Sequence, residues 1–349
     1  MIIPNEINQD SSSEVIKSEF TGILFENCEK KHYEVSLLIG TYNPDYKKLF
    51  ITINSGLLQK NIDLQIVISD DGSQSFELDK LIEFFETKQF HNYVIVSLAK
   101  NGGTTRNYNN GLRYCKGDYT KLISPGDYLN GEDCLATWYE YIKNNNAVVS
   151  FSDCIHYYYE NDEVKTVSVK SDPQNNKNFY RNSWAYNYLV FDDIVTGACT
   201  LASTEKLQKY SDLLLGKVIY AEDNIYRLMA YNNEPACYYD KDTVLYEHGS
   251  GVSTNGNKKW LERIFADYVA ADSIMLEWNK DSVVAKRFAK IANIRKEKRV
   301  VLRKFKVLFF LISSGKYKFV LKRKFKPRYT NVSIDMDYVN QIHNTGMTI

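Results

Sequence analysis

Short apolar segments alternate with amphipathic ones over the first third of the chain. Four apolar runs bounded by Gly, Pro, Asn or Asp predict buried strands at 35–40, 64–69, 93–98 and 119–123. The intervening stretches carry apolar residues at helical spacing and predict helices over about 46–59, 78–87 and 105–115. Strands that alternate with helices in this way are typical of a parallel sheet with crossover helices.

After Gly131 the pattern is more mixed. It predicts a helix near 134–143 and strands at 148–154 and 155–159. A later helix starts at Glu222 and Asp223 and runs to Tyr231, and the chain is mostly helical from residue 258 onward. We therefore predict an N-terminal extension with little structure of its own (1–32), a main domain (33–257, with halves 33–131 and 132–257) and a helical, basic C-terminal region (258–349).

The net charge of +1 conceals a strong asymmetry. Between Lys286 and Arg328 there are 17 basic residues and one acid, which leaves 27 basic and 42 acidic residues elsewhere. Such a block usually meets an anionic partner. Its apolar clusters indicate either a segment that lies on an anionic membrane or a subdomain packed on the main domain. In the first case, truncation before Lys286 should leave the main domain folded.

Composition narrows the class of protein. The chain is 44% hydrophobic and 25% charged, as globular proteins are. Its six cysteines form no C-x-x-C pair, which favours free thiols in a reducing cytoplasm over a zinc site or a disulfide scaffold. No apolar run approaches the roughly 20 residues that span a bilayer.

Polar residues cluster directly after the predicted strands, where ligands bind in open α/β sheets. They are Thr41, Asn43, Asp70, Asp71, Asn101 and Asp127. The first turn (Gly40 to Pro44) lacks the glycine triplet of dinucleotide-binding proteins, so polar side chains must hold a nucleotide here. The Asp70 carboxylate can accept the imide N–H of uracil or thymine. The alternative is a strand-ending turn that caps a helix.

Four motifs follow one another over about 33–131: S-L-L-I-G-T-Y-N, S-D-D-G-S, N-G-G-T-T-R-N-Y-N-N-G-L and G-D-Y-T-K-L-I-S-P-G-D-Y-L. In this order they resemble the motifs of the family 2 glycosyltransferases, inverting enzymes of the GT-A fold, and the resemblance continues more weakly to about 255. It implies a Rossmann-like, mostly parallel sheet flanked by helices, with the basic helical extension at its C-terminus. It also implies a nucleotide site formed by Thr41, Asn43, Asp70, Asp71, Asn101 and Arg106.

The sequence departs from the family at its metal motif. Most members have Asp-x-Asp where this chain has Ser124 to Gly126, so Asp127 is the carboxylate that remains. Such carboxylates hold Mg²⁺ or Mn²⁺ against the donor diphosphate. His248 lies in Y-E-H-G-S, which resembles a late family element near the diphosphate or metal. We therefore predict Asp127 and His248 as metal ligands and leave the metal requirement open.

Glu222 and Asp223 match the family's Glu-Asp element. An inverting transfer needs a carboxylate that takes the proton from the attacking hydroxyl. We predict Asp223 as this base and Glu222 as a residue that positions the acceptor or supports the loop. The alternative is a helix N-terminus with an Asp223–Arg227 pair one turn apart.

These features predict a glycosyltransferase that moves a sugar from a UDP-sugar, or secondly a dTDP-sugar, to a hydroxyl of a glycan or lipid-linked acceptor. Capsule or cell-wall polysaccharide assembly, in the cytoplasm or on the inner face of the membrane, is the expected setting. The alternative is a sugar-nucleotide-binding module without turnover, which the missing Asp-x-Asp favours and which Asp223 and His248 oppose. The basic tail also suggests a nucleic-acid-binding protein, but no motif supports that function.

Overall fold

The computed structural model describes residues 21–160, 163–170, 179–190, 197–248, 258–313 and 334–346. The strands in this part of the chain are β1 (Thr21–Cys28), β2 (Tyr33–Thr41), β3 (Leu64–Asp70), β4 (Asn92–Leu98), β5 (Gly117–Ile123), β6 (Tyr128–Leu129), β7 (Val149–Glu160), β8 (Glu163–Lys170), β9 (Thr200–Ser203) and β10 (Ala236–Glu247). The helices are α1 (Tyr46–Leu57), α2 (Leu78–Thr87), α3 (Thr104–Leu112), α4 (Cys134–Asn144), α5 (Phe179–Val190), α6 (Thr204–Leu214), α7 (Asn224–Tyr231), α8 (Lys258–Glu277), α9 (Val283–Arg295), α10 (Val300–Ser313) and α11 (Met336–His343).

The strands form one mixed sheet in the order β1-β4-β3-β2-β5-β9-β7-β10-β6, with β8 paired to β7. The four predicted strands, β2 to β5, are parallel neighbours at its centre. Each is joined to the next by one of the predicted helices α1 to α3. The structure therefore confirms the parallel α/β sheet that the alternating pattern indicated.

Alternate residues of β2 point to two different cores, which explains its uninterrupted apolar sequence. Leu37 and Ile39 pack on one side with Phe50 of α1 and with residues of α2 and α4. Leu38 packs on the other side with Leu112 of α3 and with residues of α5 to α9. Helices therefore cover both faces, as they do in parallel sheets.

Two strands differ from the sequence-based expectation. β1 lies within the predicted N-terminal extension and pairs antiparallel with β4 at the sheet edge. Most of its residues are only half-buried, so it lacks a strong apolar signal. The predicted strands at 148–154 and 155–159 form one strand, β7, because β10 runs parallel to it along most of its length.

The first two C-terminal helices belong to the main core. Phe288, Ile291 and Ala292 of α9 are buried in the same cluster as Leu38 of β2. Truncation before Lys286 would expose that core, so we expect it to destabilise the main domain. The predicted boundary at 257/258 adjoins 249–257, and the basic stretch 314–333 follows α10; both stretches lie outside the described residues. Among the described helices, none combines the length and apolar character needed to cross a bilayer.

The last helix, α11, docks beside α1 through specific polar contacts. The Asn54 amide donates to the Ile342 carbonyl (2.8 Å), and the Tyr159 hydroxyl lies 2.6 Å from Nε2 of His343. Nδ1 of His343 lies 2.7 Å from the carbonyl of Val339, which can only accept. Nδ1 therefore carries the proton, and Nε2 accepts from Tyr159.

We expect the docking of α11 to weaken as pH falls. Burial lowers the pKa of His343 below its usual value of 6.5. The stabilisation is therefore complete above that value and is lost as pH falls through the folded-state pKa. Hydrogen exchange of 336–343 should be slower at about pH 7.5 than at about pH 5, after correction for intrinsic rates. The same pH dependence in His343→Gln would contradict this assignment.

Candidate active site

The carboxyl ends of β2, β3 and β4 bring the predicted nucleotide-binding residues together. Asp70 lies opposite Thr41 on β2 and Ser97 on β4. Its buried carboxylate accepts from the Ser73 backbone N–H (2.8 Å), the Ser73 hydroxyl (2.5 Å) and the Ser97 hydroxyl (2.8 Å). The Ser73 hydroxyl also accepts from the Asn43 N–H (2.6 Å). A carboxylate offers about four acceptor positions, so these three bonds use most of them and Asp70 shapes this turn.

Asp71 shapes the neighbouring loop, 101–103. Its two carboxylate oxygens accept from the backbone N–H groups of Gly102 (2.7 Å) and Gly103 (2.9 Å). Burial raises the pKa of Asp71, and these two bonds oppose that rise. Asp71 therefore positions the loop that carries the exposed Asn101.

The side chain of Asn107 ties α3 to the ends of two strands. Its amide N–H₂ donates to the carbonyls of Thr41 (3.1 Å) and Ser69 (2.9 Å), and its oxygen accepts from the Ser69 hydroxyl. Arg106, one position earlier, is exposed. The buried Thr41 hydroxyl has no hydrogen-bond partner among the described residues, which makes it an available contact for a bound ligand.

Asp127, just after β5, lies against the end of β10. Its carboxylate accepts from the backbone N–H of Glu247 (3.2 Å), and burial raises its pKa to about 7. The Glu247 carboxylate pairs with the Lys48 ammonium (2.6 Å). A Cβ added to Gly126 would clash with a carboxylate oxygen of Glu247. Glu247 therefore fills the space that a side chain at position 126 would take in the degenerate metal motif.

His248 is exposed and follows β10 directly. Its backbone N–H donates to the Tyr157 carbonyl (2.8 Å), and its ring centre lies 5.7 Å from that of His156. The described residues contain no group of three or more His, Cys, Asp or Glu side chains placed to hold a metal. The residue that donates a hydrogen bond to Asp127 is Glu247, the neighbour of His248. The role of His248 as a metal ligand therefore stays a prediction.

Glu222 and Asp223 form a half-buried pair of carboxylates at the start of α7. Burial raises the pKa of both, and the charge of Asp223 raises that of Glu222 further. The Tyr268 hydroxyl of α8 donates to Asp223 (3.3 Å). Asp223 is the N-cap residue of α7, but its side chain makes no capping hydrogen bond. Its carboxylate therefore does not cap the N-terminus of α7.

Arg227 does not form the ion pair that helical spacing suggested. It is buried and donates to Asn224 (2.9 Å) and to the Asp272 carboxylate of α8 (2.6 Å). Arg295 of α9 also donates to Asp272 (3.0 Å). This buried network joins α7, which begins directly after the carboxylate pair, to α8 and α9.

The loop before the carboxylate pair contacts both α8 and the first turn of α3. Asp267 of α8 accepts from the three consecutive backbone N–H groups of 219–221, at 2.7 to 3.1 Å. The Ile219 carbonyl accepts from the N–H of Thr105 in the first turn of α3 (3.0 Å). Gly103 has a φ of 86°, and a Cβ there would lie 2.5 Å from the Ile219 side chain. Glycine at 103 therefore permits this close approach.

Tyr108 of α3 connects the two carboxylate regions. Its buried hydroxyl lies 3.1 Å from that of Ser124 at the end of β5. Burial raises the pKa of Tyr108, and the charges of Glu222 and Asp127 raise it further. Tyr108 therefore contacts the end of β5 and is influenced by the carboxylate charges at the end of β5 and at the start of α7.

Sequence reasoning missed four residues of this site: Lys48, Glu247, Asp267 and Tyr268. Glu247 stands inside the Y-E-H-G-S motif, and side-chain alternation along a strand could have separated it from His248. Asp267 and Tyr268 lie in a helix far along the chain, and no local pattern marks them.

The sequence model of glycosyl transferase family 2 matches residues 36–210, half of the chain. The chain belongs to this family. The match confirms the resemblance carried by the strand-end motifs, and it covers α3, Asp70 at the end of β3 and Asp127 after β5. No curated protein sequence matches this family 2 glycosyltransferase.

Solved structures confirm its GT-A fold. S. aureus TarS 1–349 superposes with a TM-score of 0.51 at 18% identity, covering 81% of this chain and 74% of that chain. The same segment in complex with UDP gives 0.50 at 16% identity and covers 89% and 90%, whereas the longer TarS structure is covered over 54% of its length. The Pyrobaculum calidifontis mannosyltransferase PcManGT, in complex with GDP-Man and Mn²⁺, gives 0.52 at 14% identity and covers 83% and 77%.

Proposed function

We propose that this family 2 glycosyltransferase transfers a sugar from a UDP-sugar to an acceptor hydroxyl with inversion. The observation that carries the proposal is the contact between Thr105 and Ile219, which joins the first turn of α3, beside the strand-end residues, to the loop before Glu222 and Asp223. A donor held at the strand ends would thus have a carboxylate pair beside it. The UDP complex of the structurally similar TarS supports uracil as the base.

In this proposal Asp223 takes the proton from the acceptor hydroxyl as the hydroxyl attacks the anomeric carbon. Its raised pKa favours this role, because a general base works best when its pKa approaches the operating pH. Glu222 positions the acceptor or supports the loop. Thr41, Asn43, Asp70, Asn101 and Arg106 bind the nucleotide, and Asp71 holds the 101–103 loop against it.

We propose Asp127 and His248 as ligands of a hydrated Mg²⁺ or Mn²⁺, since Mg²⁺ usually keeps several waters and then needs few protein ligands. Glu247, whose backbone N–H donates to Asp127, immediately precedes His248 in the chain. A bound cation would neutralise charge on the departing diphosphate. The Lys48 ammonium on Glu247 is the cationic group that the chain itself places there.

We expect EDTA to reduce turnover and Mn²⁺ or Mg²⁺ to restore it. Mn²⁺ should also raise the melting temperature of the wild-type protein, because a ligand that binds the folded state stabilises it. Asp127→Asn should lose that stabilisation, whereas Asp118→Asn, at an exposed position, should keep it. Full activity in chelator would instead assign the diphosphate charge to basic side chains such as Lys48 and to His248.

The proposal is tested by incubating the enzyme with UDP-, dTDP-, GDP- and CDP-sugars and measuring nucleoside diphosphate release. Release from UDP-sugars above the others is the expected result. A non-catalytic binding module would bind a donor and be stabilised by it without any release. Donor binding without release would contradict the role of Asp223 as the general base.

Replacing Asp70 should weaken uridine recognition. We expect Asp70→Asn to reduce UDP affinity about tenfold or more, because an amide N–H₂ in that position would face the imide N–H of the base. Ser97→Ala is the matched control, since it removes one hydrogen bond to Asp70 without changing the charge. Titration calorimetry should show near-normal affinity for the control. Equal losses of affinity and stability in both variants would favour the strand-ending turn.

The acceptor and the cellular location are also part of the proposal. We propose a glycan or lipid-linked acceptor in capsule or cell-wall polysaccharide assembly, and a cytoplasmic enzyme at the inner face of the membrane. A basic block of 17 Lys and Arg with a single acid supports this placement.

A further inference from the structure

The outer face of α10 is apolar. Five large apolar side chains recur at the spacing of one helix face, with exposed fractions between 52% and 74%: Val301, Phe305, Leu308, Phe309 and Ile312. We call them the α10 strip. Phe310, on the opposite side, is buried in the main core. α10 therefore carries two apolar faces, and the protein core covers one of them.

Cationic side chains border the α10 strip. At about 100° per residue, Lys304 and Lys306 fall on opposite sides of it. Lys304 is exposed, and Arg299 just before the helix has a side chain that is 77% exposed. The acid beside them, Glu297, pairs with both Arg299 (3.2 Å) and Lys306 (2.8 Å). The surface around the strip is thus apolar at its centre and positive at its edges.

We propose that the α10 strip lies in the interface of an anionic bilayer, with its apolar side chains among the acyl chains and its cations among the headgroups. Exposed apolar patches of this kind mark interaction surfaces, and helices with basic borders lie in the membrane plane. A second copy of the chain fits less well. A two-fold contact through this helix would bring the Lys304 and Lys306 charges of both copies together.

This inference rests on the proposed placement at the membrane and assigns it to a surface, but vesicle binding requires neither donor nor turnover and can fail independently of the proposed catalysis. The test is co-sedimentation of the full chain with vesicles of phosphatidylglycerol and phosphatidylcholine, compared with phosphatidylcholine alone. We expect binding to the anionic vesicles only, and release when salt is raised to about 0.5 M. UDP binding, measured on the same preparations, reports separately on the catalytic site.

Two double variants locate the surface. Phe305→Ser with Phe309→Ser should reduce partitioning about 10²-fold, since two large side chains no longer enter the bilayer. Leu261→Ser with Val283→Ser is the matched control, because these side chains are 54% and 74% exposed but lie on α8 and α9. It should bind as the wild type does. Urea unfolding confirms that both variants fold.

Three results would overturn the proposal. The first is equal binding to neutral and anionic vesicles, and the second is undiminished binding by the Phe305/Phe309 variant. The third is a wild-type protein that does not bind vesicles but forms a dimer in solution, where the Phe305/Phe309 variant is a monomer. The last would assign the strip to a second copy of the chain.

Discussion

Asp223→Asn is expected to reduce glycosyl transfer about 10²-fold or more while donor affinity stays nearly unchanged. The amide keeps the size of the side chain but cannot take the proton from the acceptor hydroxyl. The site geometry supports a loss of turnover without a loss of donor affinity. Asp223 makes no capping hydrogen bond to α7, and its side chain accepts from a tyrosine of α8. Turnover with the acceptor, or donor hydrolysis without one, gives the measurement, and calorimetry gives donor affinity.

Tyr268→Phe is the matched control for this prediction. It removes the hydrogen bond to Asp223 (3.3 Å) but keeps the carboxylate. We expect it to lower turnover less than about tenfold, and to shift the pH profile because a hydrogen bond that lowers the pKa of Asp223 is lost. Near-normal turnover of Asp223→Asn on the acceptor would remove Asp223 from the mechanism.

The second large effect concerns stability. Asp272→Ala should lower the free energy of unfolding by about 3–5 kcal/mol, because it leaves the buried Arg227 guanidinium without its carboxylate. Arg295 loses the same partner. The network joins α7 to α8 and α9, so turnover should fall together with stability. Urea denaturation and thermal melting give the measurement.

Asp281→Ala is the control for the loss of an ion pair as such. Asp281 pairs with Lys286 at 2.6 Å, but both side chains are mostly exposed. Water and salt screen such pairs, so this variant should melt like the wild type. If Asp272→Ala also melted like the wild type, the network would not hold α7 in place.

The sequence contained most of the information about the central sheet and about the polar residues at its strand ends. The strands β2 to β5 and the helices between them follow from local periodicity, which the backbone geometry of each element imposes. Asp70 and Asp127 could be assigned to one edge because parallel strands end on the same side of a sheet. The order of the strand-end motifs also identified the family.

Only the tertiary structure decided which side chains meet across the site. Glu247 bonds to Asp127 across 120 residues of chain, and Arg227 pairs with Asp272 of another helix instead of Asp223 of its own. No local period encodes such contacts, because they depend on how whole elements pack. The same holds for α10, whose sequence is apolar on two faces. Packing covers the face with Phe310 and leaves the other exposed.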